Sequence, residues 1–332
     1  MPGSLMAAEI AEQPEALARL LRDGSGAAAD AREIIKRHRP RFVLLAARGT
    51  SDHAALYGKY LAEVRLNLPA GLTSPSTFTV YDSRPDMRGV LFVAVSQSGE
   101  SPDLVESVEV ARHCGALTIA VTNNPASALA GAAAHHVDVH AGAEQAVAAT
   151  KTYTAQLLAL YLLLVGGDAA AVPDAAARTL AEAAVAHEAA ARFVPVERLV
   201  TTARGFSYPT AREGALKLME TSYVAAQAFS GADLLHGPMA MLGPDVPVIA
   251  VTTPGRGARA MAPVLDRLAA DGVDVLHVGA SDGLPVAMDG VDETLAPILE
   301  IIPLQQLAWR LALARGGDPD RPRGLSKVTQ TW

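Results

Sequence analysis

One short pattern occurs twice, each time at the end of an apolar run, and its spacing constrains the fold more than any other feature. Ala47-Arg48-Gly49-Thr50-Ser51 closes the run that begins at Arg41, and Ala203-Arg204-Gly205-Phe206-Ser207 closes the run from Arg198, an offset of 156 residues (204 − 48). Val93-Ala94-Val95-Ser96 and Ile249-Ala250-Val251-Thr252 match at the same offset (249 − 93). Matches that share one offset, each at a strand end, point to a duplicated α/β unit. The apolar runs are too uniform to be half exposed and they alternate with helical stretches. That predicts parallel sheets covered on both faces, each copy doubly wound.

Along the chain, Ala7 to Arg22 reads as an amphipathic helix broken at Asp23-Gly24-Ser25-Gly26, and Ala28 to Arg37 as a second. A helix is expected over Asp52 to Val64, strands over Ala116 to Val121 and near His136 to Val139, and a long helix over Ala146 to Val165. The expected organisation is N-terminal helices at 1–40, a first α/β domain at 41–166, an Ala-rich helical connection at 167–195, a second domain at 196–314 and a tail at 315–332.

At 332 residues, with half of them hydrophobic and 19% charged, the chain has enough apolar material for more than one core. The net charge of −7 and the isoelectric point near 5.7 argue against nucleic acid as the main partner, while a small phosphorylated ligand needs only local donors. A single cysteine, Cys114, excludes a disulfide framework; it is read as a buried bystander in a helix. The N-terminus has no export-signal character, and the most apolar run, Leu157 to Val165, is about half of what a bilayer requires. The expected setting is cytoplasmic, without membrane contact.

The stretch Gly89 to Leu104 passes from an apolar strand through Ser96-Gln97-Ser98-Gly99-Glu100-Ser101 into a helix opened by Pro102. Ser101 before Pro102 suits an N-cap and first turn. Hydroxyls beside a helix N-terminus favour an anion, here held without Lys or Arg in the turn; the plain alternative is an ordinary strand-to-helix connection. The second copy has Thr252-Thr253-Pro254-Gly255-Arg256 in its place, and Pro254 removes a backbone donor.

Glu213, Lys217 and Glu220 fall on one helical face after Tyr208-Pro209. A carboxylate held among small apolar neighbours titrates closer to neutrality and suits a proton shuttle; the alternative is a solvated surface pair. His236, before Gly237-Pro238, is the histidine best placed for acid/base work, against a loop histidine bonded to backbone. His53, His113, His135, His136 and His140 show no metal-ligand spacing, so neither a metal nor a cofactor is expected. The proline-stiffened tail Asp318 to Thr329 is expected to dock on the body, and with it Lys327, either as a surface lysine or as a site amine able to form a Schiff base.

These segments together resemble the sugar isomerase (SIS) family, and within it the isomerase half of glucosamine-6-phosphate synthase. The resemblance runs through Glu9-Ile10-Ala11-Glu12-Gln13-Pro14, Arg48-Gly49-Thr50-Ser51, Ser96 to Ser101, Glu144 to Lys151, Glu213 to Lys217, His236-Gly237-Pro238 and Pro322 to Lys327. It implies two tandem SIS subdomains of flavodoxin-like three-layer αβα form. It further implies that Arg48, Gly49, Thr50, Ser51, Ser96, Gln97, Ser98 and Ser101 hold the phosphate and hydroxyls of a hexosamine or hexose 6-phosphate, with the backbone at Val147 and Ala148 lining the sugar. By the same resemblance Glu220 moves a proton between C1 and C2, and His236 opens the ring, coming from the neighbouring subunit of a homodimer. Lys327 meets the open-chain carbonyl and Lys217 is a further active-site lysine.

Departures from the synthase bear on the activity. No glutaminase domain or terminal cysteine nucleophile is evident, Arg48 stands where the synthase has a small residue or cysteine, and Ala149 replaces a serine. The ending Ser326-Lys327-Val328-Thr329-Gln330-Thr331 is closer to stand-alone SIS enzymes. The expected activity is an isomerising deaminase that converts glucosamine 6-phosphate and water to fructose 6-phosphate and ammonia. Open alternatives are another SIS phosphosugar enzyme (a fructosamine-6-phosphate deglycase, a ketose–aldose isomerase or a synthase half) and a non-catalytic sugar-phosphate sensor.

Overall fold

The computed structural model describes residues 1–327; the tail residues Val328 to Thr331 singled out above lie outside them. Contacts divide the chain into two compact units. One comprises Met1–Pro14, Gln145–Thr150 and Ala171–Leu325; the other comprises Glu15–Glu144 and Lys151–Ala170 with Ser326 and Lys327.

In the second of these units, strands β1 (Phe42–Ala46), β2 (Ala70–Leu72), β3 (Val90–Ser96), β4 (Leu117–Thr122) and β5 (His135–Asp138) form a sheet of order β2-β1-β3-β4-β5. Every pairing is parallel. β3 is apolar from Val90 to Val95 and buried from Leu91 onward; on one face Phe92 and Ala94 pack with Leu104, Val108 and Ala111 of the helix Pro102–His113. Across β1, Gly58 of the helix Thr50–Arg65 lies so close to Leu45 that a Cβ there would stand 2.7 Å from it. This strand order places the topological switch between β1 and β3, where open α/β sheets bind ligands outside the carboxyl ends of the strands.

The first unit holds β6 (Arg198–Ala203), β7 (Ala225–Ser230), β8 (Val248–Val251) and β9 (Val275–Val278), again parallel, in the order β7-β6-β8-β9. Registers agree between the sheets. Phe42 faces Val90 and Val200 faces Val248, 48 residues apart in each case (90 − 42 and 248 − 200). Val43 faces Ala70 and Arg198 faces Ala225, 27 apart in each (70 − 43 and 225 − 198). Val200, Leu234, Val248, Met261, Val264 and Leu268 form a core on this sheet. The helix Tyr208–Ser222 packs closely on Ala296–Ala314, where a Cβ at Gly214 would fall 2.8 Å from Leu304.

Several local expectations are corrected. The N-terminal helices Ser4–Ala11, Gln13–Arg19 and Ser25–His38 show no break at Asp23 to Gly26; a wide π-turn, Leu20–Gly24, carries the chain through. Gly24 is wedged against Leu20 and His140, where a Cβ would approach to 2.5 Å and 2.8 Å, so tertiary packing overrides its helix-breaking tendency. The helix expected from Ala146 begins only at Lys151. The backbone N–H groups of Gln145 and Ala146 donate to the Glu9 carboxylate instead, which keeps Gln145 to Thr150 irregular. Cys114, half-buried, is the residue that ends the helix Pro102–His113 and is not within it. No helix among the described residues is long and apolar enough to cross a membrane.

Candidate active site

The turns that follow β1 and β3 flank the switch point. Gly49, at φ 54°, turns the chain from β1 into the helix Thr50–Arg65, and Ser101 stands at the N-cap of Pro102–His113 in extended conformation. The Ser101 side chain makes no capping bond, so its hydroxyl is not spent on its own helix. Within the serine turn, Ser96 Oγ accepts from Gly99 N–H at 3.1 Å and Ser98 Oγ from Glu100 N–H at 3.3 Å. Both oxygens act as acceptors, which leaves each hydroxyl hydrogen able to be donated elsewhere. Gly99 needs its φ of 71°, and a Cβ there would lie 2.2 Å from Ser127 Oγ.

Arg48 does not extend freely into solvent. Its Nε donates to Asp103 Oδ2 at 2.9 Å, tying the β1 turn to the first turn of the helix behind the serines. Asp103 is buried and its Oδ1 has no partner, so the pair is anchored from the helix side. Ser51 is buried, and its Oγ accepts from Gln156 Nε2 at 3.0 Å. Sequence reading found neither Asp103 nor Gln156, because each lies more than 50 residues from its partner and no local pattern marks the pair.

Lys327 is not a surface lysine. Its Nζ donates to Glu144 Oε2 at 3.1 Å, and the Glu144 carboxylate is fully buried. Glu144 also accepts from Thr152 N–H at 3.1 Å and Thr152 Oγ1 at 2.6 Å, capping the helix Lys151–Leu164. One carboxylate thus docks the tail and starts a helix.

In the other unit, Lys217 Nζ lies 3.3 Å from Glu213 Oε1 and 2.5 Å from Glu220 Oε2. The Glu213 and Lys217 side chains are wholly buried and Glu220 is 21% exposed, which excludes the solvated surface pair. Burial alone would pull the Lys217 amine down, yet the two carboxylates outweigh it and hold its pKa above the ordinary lysine value. Chemically this is a buried charged string with one end, Glu220, open. His236 makes no hydrogen bond to it; the ring stands exposed where the short helix Gly231–Leu235 ends, ahead of Gly237 at φ 135°. Val147 and Ala148 sit in the irregular segment, half-buried and buried respectively.

The counterpart of the serine turn after β8 is closed by carboxylates. Glu293 Oε1 accepts Gly257 N–H at 2.8 Å at the start of the helix Arg256–Ala270. The buried Glu300 accepts from Ser207 Oγ at 2.7 Å and Thr210 Oγ1 at 3.0 Å, and Ser207 is the residue that matches Ser51 at the 156 offset. Carboxyl groups of the chain itself thus take up the Gly257 amide and the Ser207 and Thr210 hydroxyls, beside the donor already lost at Pro254. Among the described residues no cluster of His, Cys, Asp and Glu could hold a metal ion.

The SIS domain family matches residues 36–166 and 193–312. The chain belongs to the SIS family. This SIS chain is 34% identical over 338 residues to the glutamine–fructose-6-phosphate aminotransferase (isomerizing) of Methanothermobacter thermautotrophicus, covering 97% of itself and 56% of that protein. It therefore spans little more than half the length of that curated relative. Among solved structures, a Silicibacter pomeroyi protein provisionally described as a phosphosugar isomerase is 34% identical with a TM-score of 0.86, covering 96% of this chain and 100% of that one. A glucosamine-6-phosphate deaminase from Thermotoga maritima is 21% identical with a TM-score of 0.82, covering 99% and 100%, a likeness in fold alone.

Proposed function

We propose that this SIS chain is an isomerising deaminase that converts glucosamine 6-phosphate and water to fructose 6-phosphate and ammonia. The observation that carries the reading is the Glu213–Lys217–Glu220 string, in which only Glu220 reaches beyond the buried pair. A carboxylate held in place by a buried ammonium suits repeated proton transfer at one carbon pair. In this reading Thr50, Ser51, Ser96, Gln97, Ser98 and Ser101 hold the 6-phosphate, with Arg48 locked beside them by Asp103. Anchoring that group turns remote binding energy into alignment at C1 and C2.

His236 assists ring opening. Its exposure, together with that of its neighbours Leu235 and Met241, supports completion of the site by a second copy of the chain. Glu220 takes the C2 proton of the amino-aldehyde and returns it to C1, leaving an imine at C2. Water adds to the imine and ammonia leaves, so the products balance. Lys217 fixes Glu220, and Lys327, docked by Glu144, meets the carbonyl.

A second reading, the isomerase half of an aminotransferase that runs the same carbon chemistry in reverse, is favoured by the identity to the Methanothermobacter protein. A coupled assay for ammonia release across phosphorylated and unphosphorylated amino sugars separates the two. Ammonia from glucosamine 6-phosphate in the absence of glutamine supports the deaminase. Glucosamine 6-phosphate formed from fructose 6-phosphate with glutamine as the nitrogen source supports the second. Turnover of neither sinks both.

A further inference from the structure

The N-terminal motif around Glu9 has no role in the chemistry above, yet its carboxylate is buried and committed. Glu9 accepts the backbone N–H groups of Gln145 and Ala146, reaching the latter at 3.3 Å through both oxygens. At the other end of the same irregular segment, Gln305 of the helix Ala296–Ala314 donates through Nε2 to the Thr150 carbonyl at 3.3 Å. Both clamping residues are buried. The helix that carries Glu9 is itself fixed: Asp320 accepts from Leu5 N–H at 3.0 Å and Met6 N–H at 2.8 Å, Asp318 accepts from Gly3 N–H at 3.0 Å, and Met6 and Ile10 pack with Ala146. A buried carboxylate spent on two amides of another segment sets the direction of that segment's peptide planes, because charge-assisted bonds are short of alternatives away from water.

We infer that Glu9 and Gln305 are positioning residues that hold the Gln145–Thr150 backbone, and with it Val147 and Ala148, in the orientation that receives the sugar. The inference rests on the phosphosugar reading for its consequence but not for its geometry. Neither residue touches substrate; each acts through the peptide chain it holds. Glu9→Gln keeps the shape but loses the charge and can aim an NH2 group at N–H donors. Gln305→Met removes one bond together with an oxygen, Oε1, that has no partner, so its effect on stability is small.

The test uses the full chain, with three readouts on Glu9→Gln and Gln305→Met. Amide hydrogen exchange is expected to rise across 145–150 in both variants. With glucosamine 6-phosphate, kcat/KM is expected to fall about 10- to 100-fold, the loss that displacement of a lining group produces. Protection by inorganic phosphate, which the serine turn would bind, is expected to stay as in the wild type. Unchanged exchange at 145–150 overturns the inference whatever the activity. So does raised exchange with unchanged kcat/KM, or an equal loss of phosphate protection. If the wild type turns over no amino sugar phosphate, the proposed function fails, and the exchange measurement still judges the clamp. If Glu9→Gln does not fold, Gln305→Met carries the test alone.

Discussion

Lys217 Nζ stands 2.5 Å from Glu220 Oε2, with the amine wholly buried and the carboxylate open to its surroundings. Removing the charge from Lys217 takes the ammonium away from the Glu213 carboxylate, with which it is buried. Lys217→Met is expected to destabilise the chain by about 3–5 kcal/mol, the penalty of leaving one member of a buried pair. Urea unfolding measures it, and a loss below about 1 kcal/mol would show that the string is not held as described.

Glu220→Gln preserves the volume and one bond to Lys217 but removes the proton carrier. Turnover of glucosamine 6-phosphate is expected to fall by about 10²- to 10⁴-fold, the scale of a general acid–base group. Binding, followed by ligand-induced thermal shift, should persist. Near-normal turnover would move the base to another residue.

The serine turn depends on Gly99, whose φ is 71° and where a Cβ would lie 2.2 Å from Ser127 Oγ, which leaves no room for a side chain. Gly99→Ala is expected to cost about 1–3 kcal/mol through backbone strain. It should also weaken protection by inorganic phosphate, while Gly131→Ala, with open space at its Cβ position, leaves both unchanged. Equal behaviour of the two variants in the phosphate titration would remove the turn from the binding site.

Glu144 joins the tail to the helix Lys151–Leu164 through Lys327 and Thr152. Glu144→Ala should cost about 1 kcal/mol, the worth of a capping side chain, since Lys327 can swing to water. It should also speed tryptic cleavage after Arg323 and Lys327. An unaltered cleavage rate would mean that the pair does not dock the tail.

Burial pushes the Glu300 carboxyl above its ordinary value, against hydrogen bonds from surrounding hydroxyls that pull it down. An acid raised in the folded state favours folding at low pH, and that contribution is lost as pH rises from the unfolded value through the folded one. Glu300→Gln is therefore expected to match the wild type below about pH 4, where a free glutamate is protonated, and to gain on it toward neutral pH. Urea midpoints across pH read the difference; a variant that loses ground as pH rises contradicts it.

Where strands end was legible because local chemistry marks it: an apolar run stops at small and hydroxyl residues, as at Ala46 and Ser96, and does so again 156 residues later. The short strands β2, β7 and β9 were not legible, since Ala70-Gly71-Leu72 has no period of its own and pairs because β1 offers an edge. The helix Lys151–Leu164 was legible in type but not in start, because Glu9, more than 130 residues away, takes the amides that would have extended it.

The sequence by itself determined the class of fold, the serine turn and the face that groups Glu213, Lys217 and Glu220, because spacing and residue type suffice for those. Only the tertiary structure decided that this face is buried, that Arg48 is held by Asp103 and Lys327 by Glu144, and that Glu293 and Glu300 take up the donors around the second turn. Each of those depends on which distant carboxylate comes within reach of a cation, an amide or a hydroxyl, and a carboxylate's environment is set by packing and not by its neighbours in the chain.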